Sequence, residues 1–139
     1  MQTVSGPQIV VPDSGLLGQA VRKFMGGEGG SAYAGAPGSL AFVACVGDEV
    51  VGWCWGYHLI RPDDSSMVYV HQLKVDSAYR RQGIGRALVE AFMGAGVAAG
   101  ASKMFLTTGA DNSAARSLYD SLGGGLAAQG PTVNYWFLL

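Results

Sequence analysis

The sequence predicts a single α/β (α+β) domain, residues 1–139, built round a mixed sheet. Three observations predict it. The chain has 139 residues with 49% apolar side chains, about one domain's worth of core. Three apolar, β-branched or aromatic runs follow one another between residues 40 and 75. After residue 75 the apolar spacing becomes helical and alternates with strand patterns.

Each element has its own justification. Gln8 to Val11 reads as a short strand, and Asp13 or Ser14 then caps a helix running to about Met25. "GGEGGSAYAGAPGS", Gly26 to Ser39, is a flexible loop or a loop around one weak helical turn. Leu40 to Val46 and Val50 to Ile60 are strands joined by the tight turn Gly47-Asp48-Glu49. Met67 to Val75 is a third strong strand. Ile84, Leu88, Ala91, Phe92 and Ala95 then make one apolar helical stripe. Lys103 to Thr108 is a strand. Asn112 to Leu122 is a second amphipathic helix, with Ala115, Leu118, Tyr119 and Leu122 on one side and glycines 123–125 to end it. Thr132 to Leu138 is a last strand.

Composition limits the function classes. Nine basic and ten acidic residues give a net charge of -1, which argues against a broad basic face for nucleic acid. Cys45 and Cys54 lie in strand-like runs, without metal-site spacing and without support from the two histidines; no metal is expected. They read as buried thiols of a cytoplasmic protein rather than a disulfide. "MQTVSGPQIV" lacks a basic segment followed by a long apolar one, so no signal peptide is expected. No apolar run approaches the roughly 20 residues of a membrane span.

The stretch that carries chemistry is "YRRQGIGRALV", Tyr79 to Val89. A helix N-terminus exposes unpaired N–H groups and the positive end of the helix dipole, and phosphate binds there. Gly83 and Gly85 let a phosphate approach the backbone, and Arg80, Arg81 and Arg86 add positive charge. A P-loop is absent, and Leu88 stands where a dinucleotide fingerprint needs a small residue. By itself the turn is equally a glycine turn with solvated arginines before a core helix.

The whole segment "LKVDSAYRRQGIGRALV" resembles the acetyl-CoA-binding signature of the GNAT superfamily of N-acetyltransferases: a strand ending in Val, a short connection, then Q/R-x-x-G-x-G/A and a helix. "NSAARSLYDSLG", Asn112 to Gly123, is similar to that family's second element, N-x-x-A-x-x-L/F-Y/F-x-x-x-G. The resemblance covers about Leu40 to the C-terminus. It implies a GNAT-like sheet of six to seven strands flanked by about four helices. It implies acetyl-CoA as co-substrate, with its pyrophosphate on the backbone of Gln82, Gly83, Gly85 and Arg86 and a contribution from Arg80 and Arg81. It also implies main-chain pairing of the pantetheine arm with Leu73 and Val75.

Acetyl transfer to an amine needs the ammonium deprotonated, the oxyanion held and the leaving thiolate protonated. By the resemblance, Tyr119 is the thiolate acid, although its stripe also suits a core aromatic. Asn112 matches a polar residue that bonds the pantetheine arm, and serves equally as an N-cap. His71 in "YVHQLKV" is the candidate base, because imidazole exchanges a proton near neutral pH; a packed or exposed strand histidine is the alternative. Strand alternation places His71 on the face of Leu73 and Val75, unless a bulge, usual in the family, breaks the parity. Tyr69 lies where some relatives carry a catalytic residue, His58 is placed to line the acceptor site, and the N–H of Leu73 is a candidate oxyanion donor. The cysteines receive no role.

The acceptor is less legible. The layout of residues 50–75 and the overall length resemble GNAT-type aminoglycoside 3-N-acetyltransferases. A polycationic acceptor wants carboxylates, and Glu28, Asp63, Asp64 and Asp111 are candidates that read equally as loop and turn acids. Gln72 is a departure, since those relatives tend to carry an acid there. Trp53, Trp55 and Tyr57 alternate on one strand, to pack against an acceptor or within the core. The expectation is a small-molecule amine acetyltransferase, with an aminoglycoside as the particular acceptor and antibiotic resistance as its role. A protein or peptide N-acetyltransferase and a non-catalytic acyl-CoA sensor are the alternatives. No nucleic-acid or membrane partner is expected; a homodimer is, through "TVNYWFLL", which suits a core strand equally.

Overall fold

Alternating apolar residues build a five-stranded sheet in the order β1-β2-β3-β4-β5. The strands are β1 (Gln8–Val10), β2 (Ser39–Val46), β3 (Glu49–Ile60), β4 (Ser66–Val75) and β5 (Lys103–Leu106). The computed structural model describes residues 6–139. The signal-peptide expectation for "MQTVSGPQIV" rests in part on residues 1–5, which lie outside the described residues. The chain divides into two compact units, one ending at Thr107 and one from Thr108 to Leu139.

In the first unit β1 to β4 pair antiparallel, while β4 and β5 pair parallel. A parallel pair needs a long crossover, and α3 (Ile84–Ala98) supplies it. α1 (Ser14–Met25) begins where the Asp13 carboxylate accepts the Leu16 N–H at 2.8 Å, and ends on left-handed Gly26. The glycine-rich segment holds one short helix, α2 (Ser31–Gly35).

Two apolar clusters cover the two faces of the sheet. Ile84, Leu88 and Phe92 of α3 pack with Ala44, Val51, Cys54, Val68 and Val70. Leu17 and Ala20 of α1 pack with Val43, Cys45, Val50 and Trp53 on the other. Cys45 and Cys54 are therefore buried free thiols in different clusters. Burial pushes the Cys54 thiol up to about 12, so its thiolate does not form near neutral pH.

A polar clasp ties α1 to the sheet's end. The Lys23 ammonium lies 2.8 Å from Asp76, 3.2 Å from Glu49 and 2.7 Å from the Val50 carbonyl. Burial works to lower the Lys23 pKa, but the bonds to Asp76 and Glu49 outweigh it and hold it above its ordinary value.

The second unit contains α4 (Ser113–Ser121), capped by Asn112, whose side chain accepts the Ala115 N–H at 3.1 Å. Ala115, Leu118, Tyr119 and Leu122 are its half-buried stripe. Thr132 to Leu138 forms no strand, which corrects the expectation and leaves five strands rather than six or seven. β-propensity describes fitness for a pleated, half-buried surface, and a strand exists only where a ladder partner is present; among the described residues none pairs with this segment. No helix of the described residues is long and apolar enough to cross a membrane.

Candidate active site

β4 leads into the glycine turn. After Val75 the chain makes a short 3-10 turn, Ser77–Tyr79, capped by the Asp76 carboxylate accepting the Ala78 N–H at 3.1 Å. Arg80 extends and its Nε donates to the Val75 carbonyl at 3.2 Å. Arg81 takes a left-handed φ of 63°, uncommon for a side chain of its size. Gly83 is the N-cap of α3 at φ 80°, a conformation that favours glycine, and no side chain caps the helix start. Arg80, Arg81 and Gln82 are exposed around it. The Arg86 guanidinium lies 3.7 Å from Glu90, one turn along the helix. A hollow of about 120 Å³ adjoins Gln82, Gly83 and Ile84 on the side of Pro7 and Ile9. The turn thus presents main-chain donors, a helix dipole and two exposed guanidinium groups at one place.

Among the described residues β5 pairs only with Met67–Val70. From His71 to Val75, β4 has β3 on one side and no described strand on the other. At this divide sits a bulge. Trp55 pairs with Gln72 and Gly56 with Val70, so His71 is the extra residue. Leu73 and Val75 consequently pack with Val68 and Val70 on the α3 face. His71 does not share that face: of the two outcomes the strand reading left open, simple alternation or a parity-breaking bulge, the second holds. Its exposed ring stacks on Trp55 at 4.5 Å and 24°, and lies 5.5 Å from the Tyr69 ring.

Gly56 makes the bulge possible. A Cβ there would stand 1.8 Å from the Tyr69 carbonyl oxygen and 3.0 Å from the His71 nitrogen. Tyr33 supports the same place from α2. Its hydroxyl lies 2.6 Å from the Leu40 carbonyl and 2.5 Å from that of Gly56, and accepts the N–H of each at 3.1 and 3.2 Å. Burial pushes its pKa up to about 12, so it stays protonated. Sequence reasoning missed both residues. The available signals were a lone tyrosine in a glycine-rich segment and a glycine inside an aromatic strand.

On the α1 side, Trp53, Trp55 and Tyr57 floor a pocket of about 380 Å³, closed by α1 residues and the 27–30 loop. Gln72 is tied to two of these rings. Its Oε1 accepts both indole N–H groups, from Trp53 at 3.0 Å and Trp55 at 3.1 Å. The candidate carboxylates separate. Glu28 lines the pocket and pairs with Arg22 at 3.3 Å. Asp63 accepts the Ser65 N–H and hydroxyl within its own turn, and these bonds hold its carboxyl below the usual range. Asp64 takes a left-handed φ of 67° in that turn. His58 lies within 2.8 Å of the Ser66 hydroxyl, away from the bulge along β3. In the second unit, Asn112 caps α4, Asp111 is exposed just before it, and Tyr119 sits half-buried on the helix.

These features define a small α/β protein that offers a cationic, glycine-opened helix start after a bulged strand. The chain belongs to the acetyltransferase (GNAT) family, whose sequence model matches residues 22–123. It is 37% identical over 84 residues to N-alpha-acetyltransferase 30 of Xenopus laevis, a match covering 60% of this chain and 31% of that protein. The chain thus spans about a third of that relative's length. Its fold is that of an aminoglycoside acetyltransferase from an uncultured soil metagenomic sample, with TM-score 0.77, 22% identity, and 97% and 99% of the two chains covered. It is likewise that of AAC(6')-Iy, solved with the bisubstrate analog CoA-S-monomethyl-acetylneamine, with TM-score 0.77, 17% identity, and 97% and 100% covered.

Proposed function

We propose that residues 1–139 act as one domain, an acetyl-CoA-dependent N-acetyltransferase acting on a primary amine of a small molecule. The observation that carries this is the glycine turn opening α3, set just after the half of β4 that no described strand pairs on its outer side. In this reading the pyrophosphate of acetyl-CoA lies on the N–H groups of Gln82, Gly83, Gly85 and Arg86, with Arg80 and Arg81 balancing its charge. The pantetheine arm takes main-chain bonds from Leu73 and Val75, and Asn112 adds a polar contact.

The acceptor ammonium gives a proton to His71, directly or through water. Its nitrogen then attacks the acetyl carbonyl carbon, and the Leu73 N–H holds the oxyanion. The C–S bond breaks as the carbonyl re-forms, Tyr119 protonates the departing thiolate, and the second proton lost by the nitrogen restores the phenol through water, while His71 releases its proton to solvent. The products are the N-acetyl amine, coenzyme A and one released proton. The exposed His71 ring supports the base role, and the match of "NSAARSLYDSLG" to the family pattern supports that of Tyr119. The buried free thiols favour the cytoplasm.

Aminoglycosides are the acceptor class named for similar folds. A second reading, acetylation of protein N-termini, draws on the 37% match to N-alpha-acetyltransferase 30. Thiol release from acetyl-CoA, measured over aminoglycosides, polyamines, aromatic amines and short peptides, separates them. Tyr119→Phe and His71→Gln are each expected to lower kcat about 10²-fold with the true acceptor, the lower end for a positioned acid or base. Turnover on peptides alone sinks the small-molecule reading. Absence of acetyl-CoA binding sinks the acetyltransferase reading altogether.

A further inference from the structure

We infer that the pocket floored by β3 is the acceptor site, and that it selects a primary amine with one positive charge on an apolar or aromatic body. The inference rests on the acetyltransferase reading and narrows its acceptor. The pocket of about 380 Å³ falls within the range of roughly 300–1,000 Å³ usual for small-molecule sites.

Its floor is a run of ring faces. Trp53 and Trp55 have centroids 6.0 Å apart, Trp55 and Tyr57 6.1 Å. Tyr33 stands edge-on to Trp55 at 5.4 Å and to Tyr57 at 5.7 Å. Such faces attract apolar groups and a nearby cation.

Most of the polar atoms on these rings are already engaged. Both indole N–H groups donate to Gln72, and the Tyr33 hydroxyl is held between the main chains of Leu40 and Gly56. A sugar-based acceptor would bring many hydroxyls to a surface with few partners for them, and each unmatched one opposes binding.

Charge points the same way. Glu28 is the one carboxylate among the described lining residues. Its pairing with Arg22 is an exposed one, weak enough to be redirected. One carboxylate balances one ammonium and leaves a polycation uncompensated. Trp55 links the pocket to the candidate base: its ring is part of the floor and carries the stacked imidazole of His71, which is itself outside the lining, at 4.5 Å.

The test is calorimetric binding to the full chain in the presence of excess coenzyme A, so that no turnover is needed. The probes are 2-phenylethylamine, its neutral counterpart 2-phenylethanol, a polycationic aminoglycoside and a short peptide. The amine is expected to bind saturably and about tenfold tighter than the alcohol, the size of a partly desolvated cation contact. Trp55→Ala should weaken both, by up to roughly tenfold, since both lose the same ring face. Glu28→Gln, an exposed change that leaves the core intact, should reduce the amine's advantage over the alcohol to what the ring faces alone supply. Tighter binding of the aminoglycoside or the peptide overturns the inference. So does an amine–alcohol difference that Glu28→Gln leaves undiminished, or failure of the amine to bind while coenzyme A still binds. Failure of coenzyme A itself to bind refutes the acetyltransferase reading instead.

Discussion

The side chain of His71 is aimed by a residue that has none. Gly56 lets the β4 bulge form, and the bulge turns His71 off the core face onto Trp55. Gly56→Ala would place a Cβ 1.8 Å from the Tyr69 carbonyl, backbone that cannot step aside cheaply. It is expected to cost about 3 kcal/mol or more in denaturant unfolding. In whatever fraction stays folded, the acetyl-transfer rate should also fall, because the imidazole moves with the bulge. Stability and rate both unchanged would refute the account. The identity of His71 as a candidate base was legible from its residue type and its place before Val75. Its direction was not, because one extra residue in a strand inverts every alternation argument beyond it. Gln72 teaches the same point. Its type read as a departure from an acid, while its role, accepting two indole N–H groups, needed both tryptophans in place.

Among the elements, the helices were the most legible. α1, α3 and α4 follow from apolar spacing with Asp13, Gly83 and Asn112 at their starts. The Lys23–Asp76 clasp was not legible, because it joins residues 53 positions apart through charges that read singly as surface groups. It makes a pH prediction. The Lys23 bond, first, and the Ala78 N–H hold the Asp76 carboxyl below its ordinary range. A depressed carboxylate contributes stability that is present above its unfolded pKa of about 4 and is lost as pH falls through the folded value. Lys23, raised, contributes stability below its unfolded pKa of about 10.4 that is lost as pH rises through the folded value. Asp76→Asn should therefore lower Tm at pH 7 and shrink the loss of Tm between pH 5 and pH 3. An unchanged acid limb in thermal melts would remove the clasp from the account.

For the whole molecule, a ligand that binds only the folded chain must stabilise it. Acetyl-CoA at 100 times its Kd should add about 2.7 kcal/mol to unfolding, read as a rise in Tm. Replacing Arg80 and Arg81 together by alanine should weaken that rise and steepen the concentration needed, since exposed guanidinium groups surround the helix start. A rise in Tm unaltered by the double change would dissociate the arginines from the ligand. The sequence by itself determined the order of elements through β5 and α4, the glycine-opened helix and the family, because periodicity, capping and short motifs are local properties of the chain. Tertiary structure decided the rest: which face His71 joins, what Gln72 accepts, that Trp53, Trp55 and Tyr57 floor a pocket, and that Thr132–Leu138 forms no strand. Each of these depends on a partner distant in sequence, and no local pattern encodes which partner a strand, a ring or an amide will meet.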